Sequence, residues 1–433
     1  MRVVLLTAGT RGDTQPMVVL GRELMARGHD VVIGASPNTL EFAGRAGVTA
    51  TPFGPDSQQV LESREGQQWL SSGDVKAFMA ALSNITHESW GSATEQIIEV
   101  CRGTDVIVAG VLAEDAAACV GEAMDIPVAS LHTAPFRANF AHPGIMVTTR
   151  ALPGPLNMLT GKIFEAVWWR GYRNDVGVLR SRLGLRVTRR NTPARLATAG
   201  SLELQAYSPA LVPGIHGRLA RRPVVGFLLP DEAMRSSLGE NGLDAELDAW
   251  LDRGEPPIYF GFGSMPITDP EATLGMVRQV AGRLGRRSLV SAGWGRLAEA
   301  EEGVAGSLGG ELRCVSSSLD HERLLPRCAT AVHHGGAGTI AASTRAGVPT
   351  VVCSLFADQP FYGSRLERLG VGAHLPFAQM DSARLEAALR RALQPDTVEA
   401  SCHLGEQMRA EAPASPLAAD LVASLVGQVG TAP

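Results

Sequence analysis

Short uninterrupted apolar runs, each followed by a stretch of helical periodicity, recur along this chain, and the series is run through twice. A strand that is apolar at every position has no face to give to water, so a set of them demands a parallel sheet covered by helices on both sides. In the first half the runs are Arg2–Thr7, Val31–Gly34, Asp105–Ala109, Val128–Leu131 and Leu204–Tyr207. After the first comes a Gly-rich turn, Gly9-Thr10-Arg11-Gly12. A helical pattern follows from about Gln15 to Arg27, pointing Met17, Val18, Leu20 and Leu24 inward and closing at Gly28. The second half restarts with Ile258–Phe262, Ser288–Ser291, Leu312–Val315, Thr330–His333 and Thr350–Cys353, with helical stretches near 271–284 and 339–346. Between the halves, Pro209, Pro213 and Pro223 break any regular element. The expected organisation is α/β: a doubly wound domain over 1–207, a linker at 208–224 and a second doubly wound domain from 225 onward. Ligands of such sheets bind beyond the carboxyl ends of the strands, which predicts a central cleft faced by both domains.

Composition narrows the function. With 433 residues the chain can bury more than one full core, and 45% apolar with 19% charged residues excludes a disordered or fibrous protein. A net charge of −5 argues against a dedicated nucleic-acid binder, which needs an excess of Lys and Arg to neutralise phosphates. The six cysteines, Cys101, Cys119, Cys314, Cys328, Cys353 and Cys402, form no CxxC pair and read as small hydrophobes in a reducing compartment. The apolar run Val3–Thr7 is too short for a secretory segment, and no later run reaches eighteen residues, so a cytoplasmic protein is expected. No Asp/His spacing suits zinc and no DxD pair is placed to hold a divalent ion, so no metal is expected.

Two Gly-rich turns raise the question of a dinucleotide. Gly9-Thr10-Arg11-Gly12 lacks the GxGxxG spacing, and the second strand ends in Ala35-Ser36-Pro37 with no carboxylate for an adenosine ribose. The stronger motif is His333-His334-Gly335-Gly336-Ala337-Gly338-Thr339, directly after the run Thr330–Val332 and opening a helix that Gly347 ends. Glycines let a ligand approach the backbone, and the unpaired N–H groups of the first turn, with the helix dipole, make an anion site suited to a diphosphate.

The segment His333–Thr339, followed by Arg345-Ala346-Gly347-Val348-Pro349 and Phe356-Ala357-Asp358-Gln359-Pro360-Phe361, resembles the donor signature of nucleotide-sugar-dependent glycosyltransferases of the GT-B fold. Gly9-Thr10-Arg11-Gly12-Asp13-Thr14-Gln15-Pro16 is similar to the branch that glycosylates antibiotics, macrolides and sterols, and Pro223-Val224-Val225-Gly226-Phe227 and Phe262-Gly263-Ser264-Met265-Pro266 fit as well. The resemblance implies two Rossmann-like domains, an N-terminal one (1–207) for the acceptor and a C-terminal one (225–410) for the nucleotide sugar. The segment 411–433 would be a helix packing back across them. It implies that His334, Gly336, Ala337, Gly338 and Thr339 hold the diphosphate with Ser264, that Asp358 and Gln359 bond the sugar hydroxyls, and that Trp294, Val315 and His321 lie about the nucleobase and ribose. Asp320 stands where relatives often carry proline.

An inverting transfer needs a base for the acceptor hydroxyl. The resemblance points to Asp13, whose other reading is as a cap for the helix beginning near Gln15. His132, after a strand end in Leu131-His132-Thr133-Ala134-Pro135-Phe136, is the rival. Candidate acceptor contacts are Thr10, Phe136 and Trp168. Trp168 belongs to an insertion, Arg150–Arg195, with ten basic and two acidic residues, which reads either as a surface helix pair or as an amphipathic lid over an apolar acceptor or anionic membrane. The expected activity is inverting and metal-independent, without a cofactor, moving a hexose or deoxyhexose from a UDP- or dTDP-sugar to a hydrophobic natural product. The alternatives are a sterol or lipid acceptor, an epimerase on the same scaffold, and a non-catalytic partner of a transferase. Expected partners are the donor and a small hydrophobic acceptor, with no nucleic acid and no stable membrane insertion. Peripheral membrane contact and a homodimer stay open.

Overall fold

The computed structural model describes residues 1–63, 66, 90–215, 221–240, 242–261, 269–291, 311–315 and 319–429, with side chains to residue 426. They form two compact units. The first holds the described residues up to Ser237 and those from Ala412 onward; the second holds Leu238–Glu411.

The first unit is built on six parallel strands: β1 (Arg2–Leu6), β2 (Asp30–Ala35), β3 (Thr49–Pro52), β4 (Val106–Gly110), β5 (Val128–His132) and β6 (Leu202–Gln205), in the order β3-β2-β1-β4-β5-β6. The apolar runs form strands because their side chains are buried on both faces: Val3, Val4, Leu5 and Leu6 are all fully covered. The helix Arg11–Ala26 lays Met17, Val18, Leu20 and Leu24 into the core, as the helical spacing requires. It begins four residues earlier than the sequence pattern indicates, because Thr10 caps it and the apparent Gly-rich turn is its first turn. β3 has no counterpart among the expected strands: Thr-Ala-Thr-Pro at a sheet edge carries no apolar run.

The second unit repeats the plan with β7 (Ile258–Gly261), β8 (Ser288–Ser291), β9 (Leu312–Val315), β10 (Thr330–His333), β11 (Thr350–Val352) and β12 (Gly372–His374), ordered β12-β11-β10-β7-β8-β9. Both sheets therefore place the first and fourth strands of their series side by side in the middle, and the chain winds outward from there in opposite directions. At that reversal point the loops after the two central strands diverge and leave a crevice at the carboxyl edge. In the first unit these are the loops after β1 and β4; in the second they are the loops after β7 and β10.

Two boundaries differ from the sequence reading. The segment expected as a linker at 208–224 is tied to the first unit: Glu203 and Gln205 donate their N–H groups to the carbonyls of Arg221 and Pro223, and Val225 returns a bond to Gln205. The division falls instead between Ser237 and Leu238. The insertion contains a single helix of 29 residues, Gly154–Arg182, followed by a short one, Thr192–Ala199. The closing helix, Ala414–Val429, packs in the first unit on the Arg11–Ala26 helix, where Arg27 bonds Asp420 at 2.5 Å and the Pro416 carbonyl at 3.1 Å. No helix among the described residues is long and apolar enough to cross a membrane.

Candidate active site

In the second unit the chain leaves β10 at the reversal point, and the two adjacent histidines take different parts. His333, the last residue of β10, is fully buried, with Nε2 3.1 Å from the Ser343 hydroxyl and Nδ1 accepting from the Gly335 N–H at 3.1 Å. It fixes the loop's shape. His334, just past the strand, is half-buried, and its Nδ1 is covered yet has no partner. Burial holds this imidazole down to about 4, against the smaller opposing effect of a hydrogen bond to the Gly261 backbone, so it is neutral near pH 7.

Glycine is required at position 335, and at 336 it leaves room for the His334 ring. Gly335 has φ +92° and a Cβ there would meet Val352 at 2.5 Å; one on Gly336 would meet His334 at 2.6 Å. Gly336 then starts the helix Ala337–Arg345 with no side-chain cap. The amides of Ala337, Gly338 and Thr339 thus open the helix at the mouth of the loop, in the geometry that binds anions. The residues expected as diphosphate contacts are brought together here, except Ser264, which lies outside the described residues, as does Trp294.

Asp358 and Gln359 begin the helix Gln359–Leu369 after β11. Gln359 is buried and its Oε1 accepts from the Leu355 N–H at 2.8 Å, which pins the loop and leaves the amide NH₂ as its group for a ligand. Asp358 is half-buried and follows Ala357, whose φ of +55° is a strained conformation for a residue with a Cβ, of the kind found at binding sites. Val315 ends β9 and is partly exposed. His321 has its Nε2 2.8 Å from the Tyr259 hydroxyl. Asp320, the departure from the family pattern, caps the helix His321–Leu324 by accepting from the N–H groups of Glu322 and Arg323.

In the first unit, Asp13 stands in the first turn of the helix that follows β1. One carboxylate oxygen accepts from the Thr10 N–H at 2.9 Å while the Thr10 hydroxyl accepts from the Gly12 N–H, a reciprocal cap. Gly9, at φ +127°, makes room for it: a Cβ there would stand 2.3 Å from that carboxylate oxygen. Burial raises the Asp13 carboxyl to about 6, and its hydrogen bonds to Thr10 only partly offset this.

His132 does not present itself to a ligand. It is fully buried, its Nε2 2.7 Å from Glu114 Oε1. Arg137 meets both Glu114 oxygens at 2.6 and 2.7 Å and reaches Glu203 at 3.0 Å. Burial opposes charge on Glu114, but Arg137 and His132 outweigh it and hold the carboxyl well below the usual range; Arg137 is held charged by its two carboxylates in the same way. A rival base at His132, expected from its place after a strand end, leaves out this network, whose members lie far apart along the chain. The one local signal is the pair Glu114-Asp115 inside an otherwise apolar stretch after β4.

Glu114, Asp115 and Arg137 form the polar floor of a pocket walled by Phe136, Phe164, Trp168 and Trp169. The Trp168 indole donates to Asp115 at 3.3 Å and packs on Tyr172 with ring centres 4.9 Å apart; the Thr192 hydroxyl bonds the other Asp115 oxygen. Phe136 and Trp168, two of the expected acceptor contacts, therefore line one aromatic pocket. Thr10, the third, is placed beside Asp13 as its cap.

Similarity to known proteins agrees with this arrangement. Residues 3–142 match the glycosyltransferase family 28 N-terminal domain, and residues 297–427 match the erythromycin biosynthesis protein CIII-like C-terminal domain. An uncharacterised glycosyltransferase of Mycobacterium tuberculosis is 33% identical over 98% of both chains. O-mycaminosyltylonolide 6-deoxyallosyltransferase of Streptomyces fradiae is 33% identical over 95% of this chain and 94% of its own. Among solved structures, the glycosyltransferase of kitacinnamycin superposes with a TM-score of 0.70 at 18% identity, covering 98% of this chain and 99% of its own. A glycosyltransferase in complex with dTDP gives 0.63 at 17% identity over 99% and 100%. The fold is that of a GT-B glycosyltransferase with two Rossmann-like domains. The chain belongs to the glycosyltransferase family of these relatives, in the branch that holds antibiotic and macrolide enzymes.

Proposed function

We propose that this enzyme transfers a hexose or deoxyhexose, with inversion, from a UDP- or dTDP-sugar to a hydroxyl of a hydrophobic natural product of the polyketide or macrolide type, without a metal or other cofactor. The observation that carries the reading is the uncapped helix N-terminus at Ala337–Thr339 beside the unpartnered Nδ1 of His334. As the acceptor oxygen bonds to the anomeric carbon, its proton passes to the Asp13 carboxylate. The bond from that carbon to the diphosphate oxygen breaks, and the charge left on the nucleoside diphosphate falls on the helix amides and the His334 imidazole. A base near 6 suits this proton transfer, since it stays ionised at neutral pH yet holds a proton more firmly than an ordinary carboxylate. Phe136, Phe164, Trp168 and Trp169 supply apolar walls for part of an acceptor. The dTDP bound to one structural relative and the deoxyallosyl transfer named for another support a deoxysugar donor.

Thermal shift with UDP, dTDP, ADP and NAD tests the donor site. A ligand held only by the folded state at a hundred times its Kd adds about 2.7 kcal/mol of stability. Stabilisation by UDP or dTDP and none by ADP or NAD is the expected result. No response to either pyrimidine nucleotide at saturation would discard the donor site and favour a non-catalytic partner.

A further inference from the structure

The helix Gly154–Arg182 has two apolar faces, and the fold uses one. Phe164, Tyr172, Val176 and Leu179 are buried against the first unit. On the opposite side Leu156, Leu159, Ile163 and Val167, spaced three, four and four residues apart, make a continuous stripe, each between 45% and 54% exposed. Phe140, in the preceding loop, is 63% exposed. A helix on the surface of a water-facing protein ordinarily carries polar residues on that side. The exposed charges of the segment that carries this stripe are of one sign. From residue 138 to 190 every exposed ionisable side chain is Lys or Arg, among them Lys162, Arg170, Arg173 and Arg182, while the segment's two carboxylates, Glu165 and Asp175, are buried.

We infer that this face is a docking surface for an anionic lipid bilayer. Apolar side chains on one helix face with cations beside them, and no exposed carboxylate within residues 138–190, match the boundary between acyl chains and anionic headgroups. A second copy of the chain is a poor occupant, since a two-fold contact would set the same cations against each other with nothing to neutralise them. A nucleic acid would answer the cations and leave the leucine–isoleucine stripe in water. The inference is independent of the identity of the donor sugar and concerns where the enzyme works: at a membrane, where a hydrophobic acceptor is concentrated.

Co-sedimentation of the full chain with phosphatidylcholine vesicles containing about one third phosphatidylglycerol tests it, at low and high salt, beside vesicles of phosphatidylcholine alone. Wild type should pellet with the anionic vesicles at low salt, be released at high salt, and bind the neutral vesicles less. The double variants Leu159→Ser/Ile163→Ser and Arg170→Glu/Arg173→Glu should each lower partitioning more than about tenfold. Both change only exposed side chains, so their melting curves should match wild type and their loss of binding is separable from misfolding. No pelleting of wild type at low salt, or equal pelleting of both variants, overturns the inference. So does a wild-type dimer that ignores vesicles and becomes monomeric in Leu159→Ser/Ile163→Ser, which would assign the stripe to a second copy.

Discussion

The carboxylate of Asp13 accepts the Thr10 N–H at 2.9 Å, three residues back across the first turn of the helix after β1. The two readings of Asp13, cap and base, are thus compatible in one side chain. The cap fixes where the carboxylate sits, and its half-buried position raises its proton affinity.

Asparagine at position 13 keeps an acceptor for the Thr10 N–H but loses the ability to take a proton. Asp13→Asn should lower kcat by about 10²- to 10⁴-fold while the melting temperature and nucleotide affinity stay near wild type. Alanine at the same site should also cost about 1 kcal/mol of stability through the lost cap. Steady-state kinetics beside calorimetric nucleotide binding separates these effects, and a normal rate for Asp13→Asn would end its role as base.

The pH dependence follows from the same group. The base works only when ionised, so kcat/KM should fall tenfold per pH unit as pH drops below about 6 and be level above it until another group titrates. In Asp13→Asn that acidic limb should vanish from whatever residual rate is measured.

His334 is neutral at pH 7, and under the proposed function its imidazole meets the diphosphate of the donor. His334→Ala should weaken UDP or dTDP binding by about 10- to 100-fold, the worth of a hydrogen bond to a charged group. Isothermal titration would read it directly. Gly336→Ala should also weaken binding, because its Cβ would push against His334.

For the Glu114, His132 and Arg137 network the expected loss is in stability first. Glu114→Ala removes one of the two carboxylates that neutralise the buried Arg137 and should cost about 3–5 kcal/mol, read from urea denaturation. His132→Gln should lower stability and leave the acidic limb near pH 6 in place if, as proposed, Asp13 is the base. A His132→Gln enzyme with wild-type stability and a displaced limb would return the base role to His132.

Trp168 offers a test of the aromatic pocket. Trp168→Phe keeps the ring against Tyr172 and removes only the bond to Asp115, so the acceptor KM should change less than in Trp168→Ala, where the wall is lost. Neither change should alter nucleotide affinity.

Much of the site is legible where chemistry and local pattern coincide. The sequence His333-His334-Gly335-Gly336 predicts a strand that turns tightly into a helix, and the chain does leave β10 for a helix without a side-chain cap. The pattern leaves open which histidine is covered: His333, the last residue of β10, is fully buried and bonded to Ser343, while His334, just past the strand, is half-buried. Gln359 likewise reads as a free sugar contact, yet its carbonyl oxygen is spent on the Leu355 amide.

The parallel sheets, the repeat of one winding in two units and the inward face of the first helix were determined by the sequence alone, because burial on both faces of a parallel sheet writes continuous apolar runs into the chain. The short edge strands β3 and β12 lack that signature and emerged only from pairing with β2 and β11. Tertiary structure alone decided the fate of His132, since the groups that bury and bond it, Glu114 and the Arg137–Glu203 pair behind it, lie on separate elements that only the folded sheet brings within hydrogen-bonding distance. It also decided that the Gly154–Arg182 helix keeps a second apolar face in the open. Periodicity can count apolar residues on a helix, but which of two such faces is covered depends on what packs against it.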